Sequence, residues 1–166
     1  MWYEYDEKNK TIYFMEDEKE VKVIENNFPS KPILSPSNDK IAYISPDEWE
    51  TISKLYLFNL KNGKKRLLID PIDGESIPKE ILWINNSTLA IIMGYGYGTV
   101  AVGGNVMLFD IIKNKTKYLT KYTPEIQATQ ILLAEKNVLQ IKGIEYIDEN
   151  FVSTREFLDV MKITEI

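Results

Sequence analysis

Four apolar positions, Tyr5, Leu34, Leu82 and Leu132, each stand seven residues ahead of another: Ile12, Ile41, Leu89 and Leu139. The stretches between them, "DEKNKT", "SPSNDK", "WINNST" and "LAEKNV", are largely polar turns. Three further segments, "LYLFNL" (55–60), "VMLFDI" (106–111) and "REFLDV" (155–160), align through Phe58, Phe109 and Leu158, with Asn59, Asp110 and Asp159 following in register. The first two run on into "KNGKKRLLI" and "IKNKTKYLT", a turn and another strand. Self-similarity at a period of about 50 residues, with four strands per unit, is the signature of propeller blades.

The physical reason lies in the strands themselves. In Leu55-Tyr56-Leu57-Phe58-Asn59-Leu60 both alternating faces carry apolar bulk, as a sheet packed between two neighbours requires. One blade cannot bury both faces alone, whereas radial stacking does so and leaves only short edges. The expected fold is therefore all-β: an antiparallel β-propeller-like domain spanning 1–166, about four short blades with incomplete first and last units. An open β-meander or sandwich is the alternative use of the same strands. The short first unit, Trp2–Glu25, and the last unit are expected to complete a ring by supplying each other's missing strands. One segment, "TPEIQATQILLAEKN", also carries a helical pattern with Thr123 as N-cap and Pro124 at N1, but Ile126 sits where a capping box needs Glu or Gln. The repeat makes Ile131–Leu133 a strand instead, and that reading is preferred.

Residues 32–69, "ILSPSNDKIAYIS…KLYLFNLKNGKKRLLI" in essence, resemble a blade of the TolB-type propellers. The family pattern runs strand, Ser-Pro-Asp-Gly-Lys turn, Ile-Ala-Tyr strand, leucine/tyrosine strand and Lys-Thr-Gly turn. Ser35-Pro36-Ser37-Asn38-Asp39-Lys40 carries an extra residue and lacks the glycine, and the later units keep the spacing without the signature. The whole chain also resembles an uncharacterised domain of Firmicute bacteria with a "GTVxVGGN"-like segment. Both resemblances imply a fold and supply no activity.

Composition removes several chemistries. The chain has no cysteine and no histidine, so thiol catalysis, disulfides, Cys/His zinc sites and a Ser-His-Asp relay are excluded. Any acid–base chemistry must use carboxylates, tyrosines or lysines. A net charge of −5 argues against nucleic acid, which needs a basic surface. No apolar run approaches the about 18 residues that cross a bilayer. The N-terminal "MWYEYDEKNK" is too polar for a signal peptide. The expected location is cytoplasmic for a whole chain and extracytoplasmic where a targeting segment has been removed. No cofactor and no metal is expected. The Asp70, Asp73 and Glu75 spacing in "DPIDGES" does not fit a calcium loop, and a polar turn is the simpler reading.

In an up-and-down blade the a–b and c–d turns emerge at one end, the b–c and d–a connections at the other. The b–c loops, Ser45–Lys54, Gly94–Asn105 and Gly143–Arg155, are long, and long loops on a rigid scaffold are where binding concentrates. The long-loop segments together hold 14 acidic and 6 basic residues, and the tight-turn segments 4 acidic and 10 basic. Aromatic residues accompany the acidic end. The candidate ligand or partner face is Trp49, Tyr95, Tyr97, Thr99, Asn105, Tyr146 and Phe151. The glycine-rich "MGYGYGTVAVGGN" (93–105) lies between two strands and lacks Gly-Lys-Ser/Thr, so it is not a phosphate cradle. As a wide hairpin it predicts positive φ at Gly103 and Gly104 and extra pairing through Thr99–Val102. The leading expectation is a non-catalytic module binding a protein, peptide or saccharide. A carboxylate-based carbohydrate hydrolase or lyase at the same face, and a purely structural role, are the alternatives.

Overall fold

The computed structural model describes residues 1–71 and 75–164. Among these residues the fold is all-β, without helices, in four antiparallel sheets that follow chain order. The first sheet comprises β1 (Trp2–Asp6), β2 (Thr11–Glu16) and β3 (Lys19–Glu25). The second holds β4 (Ile33–Leu34), β5 (Lys40–Ser45), β6 (Lys54–Asn59) and β7 (Lys64–Ile69). The third holds β8 (Ile77–Trp83), β9 (Thr88–Gly94), β10 (Asn105–Asp110) and β11 (Lys115–Tyr118). The fourth holds β12 (Ile126–Glu135), β13 (Val138–Tyr146) and β14 (Thr154–Lys162). The strand reading of "TPEIQATQILLAEKN" is thus the observed one, with Pro124 in the loop before β12.

Tight turns meet their backbone demands with left-handed residues. Asp17 and Glu18 (φ 48° and 63°) turn β2 into β3, and Asn38, Asn114 and Asn137 serve three other turns at φ 56°, 55° and 61°. The recurring Asn59 and Asp110 are turn caps. Each side-chain oxygen accepts two backbone N–H groups just downstream, Lys61 and Asn62 for Asn59, Ile112 and Lys113 for Asp110. Asp159 departs from this role and accepts the Tyr122 hydroxyl at 2.7 Å.

The sheets stack face to face through three buried clusters. Ile12, Phe14 and Ile24 of the first sheet meet Ile41, Tyr43 and Phe58 of the second. Ala42, Ile44 and Leu55 pack on Trp83, Ile91 and Phe109 of the third. Ala90, Ile92 and Leu108 then pack on Ile131, Leu139 and Ile141 of the fourth. Alternate residues of β5, β9 and β10 thus feed opposite clusters, the two-faced burial expected of an inner blade.

The expected closure of the ring is not found. Among the described residues no strand of the first sheet pairs with one of the fourth, and no buried cluster joins the two. The four sheets form an open arc. The repeat also slips at its end. Phe58 and Phe109 face the preceding sheet, but Leu158 is 63% exposed, and Phe157 and Met161 take the facing positions, opposite Gly143 and Leu139. A one-residue offset on a pleated strand moves each side chain to the other face.

Candidate functional site

The loop 95–104 between β9 and β10 lies at the centre of the long-loop end, tied to both neighbouring sheets. The Gly98 amide donates to Glu50 Oε1 of the second sheet's loop at 3.3 Å. On the other side, Gln127 Nε2 and the Tyr146 hydroxyl both donate to the Val100 carbonyl oxygen, each at 3.0 Å. Gly104 forms an isolated antiparallel bridge with Ala128.

These contacts explain the glycines, and differently from the hairpin expectation. Gly103 and Gly104 do not have positive φ; in this loop only Gly98 does, at 85°. A Cβ on Gly103 would lie 2.0 Å from the Ala128 carbonyl oxygen, one on Gly104 2.0 Å from that of Met93, and one on Gly94 1.9 Å from that of Gly103. These glycines permit backbones to approach, not to turn. The segment Thr99–Val102 belongs to no strand; the Val100 carbonyl is taken by side chains of the fourth sheet and that of Ala101 by Lys79.

Between the loop and the fourth sheet is an open cleft of about 450 Å3. Tyr95, Tyr118, Tyr122 and Phe151 supply its rings, with Val100, Ala101, Gly103 and Gly104 along one side. Of the expected face, Tyr95, Asn105 and Phe151 line this cleft. Tyr95 is 50% exposed and rests edge-on against Tyr97, 37% exposed, with centroids 6.0 Å apart. Phe151 leans on Tyr146 at 5.0 Å. Tyr146 itself is buried beneath the face, its ring a support and its hydroxyl an anchor for the loop. Asn105 is also a scaffold residue: its Oδ1 accepts the Thr120 hydroxyl and the Tyr122 amide at 2.8 and 2.6 Å. Thr99 is exposed and lies outside the cleft.

Trp49, 64% exposed, belongs to a separate groove of about 320 Å3 between the second and third sheets, shared with Asp47, Glu50 and Lys79. Lys79 Nζ donates to the Ala101 carbonyl, and burial pushes its ammonium below the usual lysine range. Burial raises the carboxyls of Asp47 and Glu80, and the charge of Asp47 raises Glu80 further.

Among the lining residues outside the expected face are Tyr118, Tyr122 and Gln127. Gln127 carries a legible signal, a polar residue set between the apolar Ile126 and Ala128. It is buried, accepting the Gly103 amide at 2.9 Å while donating to Val100 and Pro124. Tyr122 is held by Asp159, and burial first, then that hydrogen bond, raise its phenol.

Much of the acidic surplus is occupied. Asp148 accepts the amides of Asn150, Val152 and Ser153 and so shapes the β13–β14 loop, and the Ser153 amide chiefly lowers its carboxyl. Lys54 pairs with Asp70 and Arg155 with Glu145, each at 2.7 Å. Asp73 of the "DPIDGES" turn lies outside the described residues. Among the described residues no group of three or more acidic side chains is placed to hold a metal ion. No helix among them is long and apolar enough to cross a membrane.

An open arc of antiparallel blades carrying an aromatic cleft at its long-loop end defines a β-propeller-like domain. Residues 4–162 match the family described as a domain of unknown function, DUF4652, and the chain belongs to that family. Among solved structures it is similar to a protein described as a candidate conserved lipoprotein of Clostridium novyi NT, at 21% identity and TM-score 0.74, covering 82% of this chain and 88% of that one. It is also similar to a prolyl endopeptidase at 13% identity and TM-score 0.64, across 98% of this chain but 24% of the endopeptidase. The β-propeller domain of the trilobed protease of Pyrococcus furiosus, of open velcro topology, matches at 15% identity and TM-score 0.52 over 93% of this chain and 48% of that chain. At these identities the likeness is one of fold. No curated protein matches the chain.

Proposed function

We propose that the domain is a non-catalytic binding module that takes an apolar or aromatic segment of a protein or peptide in the cleft between the third and fourth sheets. The observation that carries this reading is the division of labour in the cleft. Its amide side chains, Asn105 and Gln127, spend their hydrogen bonds on the protein's own backbone. What remains for a ligand is chiefly ring surface from Tyr95, Tyr118 and Phe151, which suits aliphatic and aromatic side chains. A saccharide needs convergent polar side chains as well as a ring. Among the described residues the cleft lining includes one carboxylate, Glu75, whereas glycoside hydrolysis uses a pair. The carboxylate-based alternative is better supported at the second groove, which Asp47, Glu48 and Glu50 line. Kinship with the TolB-type propellers is supported by the second sheet, where the Ser35 hydroxyl donates to Asp39 and accepts the Lys40 amide within the Ser-Pro turn.

The test is a parallel screen of the wild type on a peptide library and a glycan array, repeated with Tyr95→Ala. Peptides rich in aromatic and aliphatic residues should be retained, and Tyr95→Ala should weaken the best of them about tenfold, a loss near 1.4 kcal/mol. Retention of glycans alone, or peptide binding indifferent to Tyr95, overturns the proposal.

A further inference from the structure

Each buried cluster sets the rear face of one sheet on the front face of the next. The two ends of the arc break this pattern. On the front of the first sheet, opposite to Ile12 and Phe14, the cross-strand sets are Glu4–Tyr13–Val23 and Trp2–Met15–Glu20. On the rear of the fourth sheet they are Leu132–Gln140–Val160 and Gln130–Lys142–Leu158. Neither face has a partner sheet among the described residues. Trp2 and Val23 are each 44% exposed, and Leu158 and Val160 are 63% and 64% exposed. Apolar side chains so arrayed across a sheet are what a neighbouring blade normally covers.

Charge and size both indicate the occupant. The front face of the first sheet carries Glu4 and Glu20, while the rear of the fourth carries Lys142 and Lys162 together with Glu135 and Glu156. An acidic front disfavours two front faces meeting, whereas the mixed rear offers lysines to pair with its glutamates. The chain also covers 48% of a chain that is a β-propeller domain, while using 93% of its own length. The arc is thus about half of such a domain. We propose that a second copy of this chain supplies the other half. The rear of each fourth sheet packs on the front of the other copy's first sheet, so that two identical junctions close a ring of eight sheets, four from each copy. Head-to-tail contacts of this kind close only where the rotation permits, and a half-turn per copy closes at two.

Sedimentation equilibrium of the wild type, Val23→Glu and Leu158→Glu tests this, with thermal melts to confirm that each is folded. The wild type should sediment at twice the chain mass of 19.3 kDa. Each variant should fall to the single-chain mass, because either change spoils both junctions. An equimolar mixture of the two variants should regain a weaker dimer through its one intact junction. A wild type that stays monomeric up to about 100 μM, where even weak interfaces are populated, overturns the proposal. So does a dimer sensitive to only one of the two changes, which would be one face meeting itself, or an unclosed ladder of larger species.

Discussion

The hydroxyl of Tyr146 donates to the carbonyl oxygen of Val100 at 3.0 Å, joining the fourth sheet to the loop of the third across 46 residues of sequence. Gln127 reaches the same oxygen. The glycine-rich loop is therefore held in place by its neighbour, and the cleft exists because it is held.

Tyr146→Phe should keep the ring packing against Phe151 and remove only the anchor. The expected loss in stability is about 1 kcal/mol, typical of one hydrogen bond. Hydrogen exchange of the amides in 95–104 should quicken while that of β5 does not. Unchanged exchange in the loop would mean that Gln127 alone holds it.

Gly103→Ala and Gly98→Ala separate close approach from backbone conformation. At Gly103 the new methyl would fall 2.0 Å from a carbonyl oxygen, whereas at Gly98 none of the described residues lies within 4 Å and only the φ of 85° is strained. The cost at Gly103 should reach about 3 kcal/mol or more, as overpacking against fixed backbone does, and at Gly98 about 1 kcal/mol. Urea unfolding of both variants measures the difference, and equal losses would refute the close-approach account.

Glu80 gives a pH dependence of definite sign. Burial, then the charge of Asp47, raise its folded-state carboxyl above the ordinary value. Its contribution is therefore fully present below the ordinary glutamate pKa and is lost as pH rises through the raised one. Glu80→Gln should raise the melting temperature at pH 7 and leave it nearly unchanged at pH 4. Melting curves across that range check it, and a gain that is larger in acid would reverse the assignment.

Tyr43 is fully buried between the first and second sheets, and its hydroxyl has no hydrogen-bond partner among the described residues. Desolvation there raises its phenol far above the usual range. Tyr43→Phe should stabilise the domain by about 1 kcal/mol, by removing an unsatisfied buried polar group. Denaturant titration reads it directly, and a loss instead would place a bound water on the hydroxyl.

Strand content, the order of the sheets and the ends at which loops emerge were legible in the sequence, because they rest on local patterns. The two-faced run 55–60 could serve only an inner blade, and Asn38, Asn114 and Asn137 mark turns by their own backbone tolerance. The tertiary structure alone decided the rest. It turned Leu158 outward and Phe157 inward, since a repeat fixes spacing but only pairing fixes which face a residue takes. It left the first and last sheets apart, because closure depends on the angle between stacked sheets, which no strand pattern encodes. It also gave Tyr95 and Tyr146, alike in sequence as loop-end tyrosines, opposite fates: one exposed at the cleft, one buried beneath it. The cleft joins Tyr95, Tyr122, Gln127 and Phe151 from separate segments, so its shape is set by backbones meeting at Gly103 and Ala128, a contact between residues 25 positions apart.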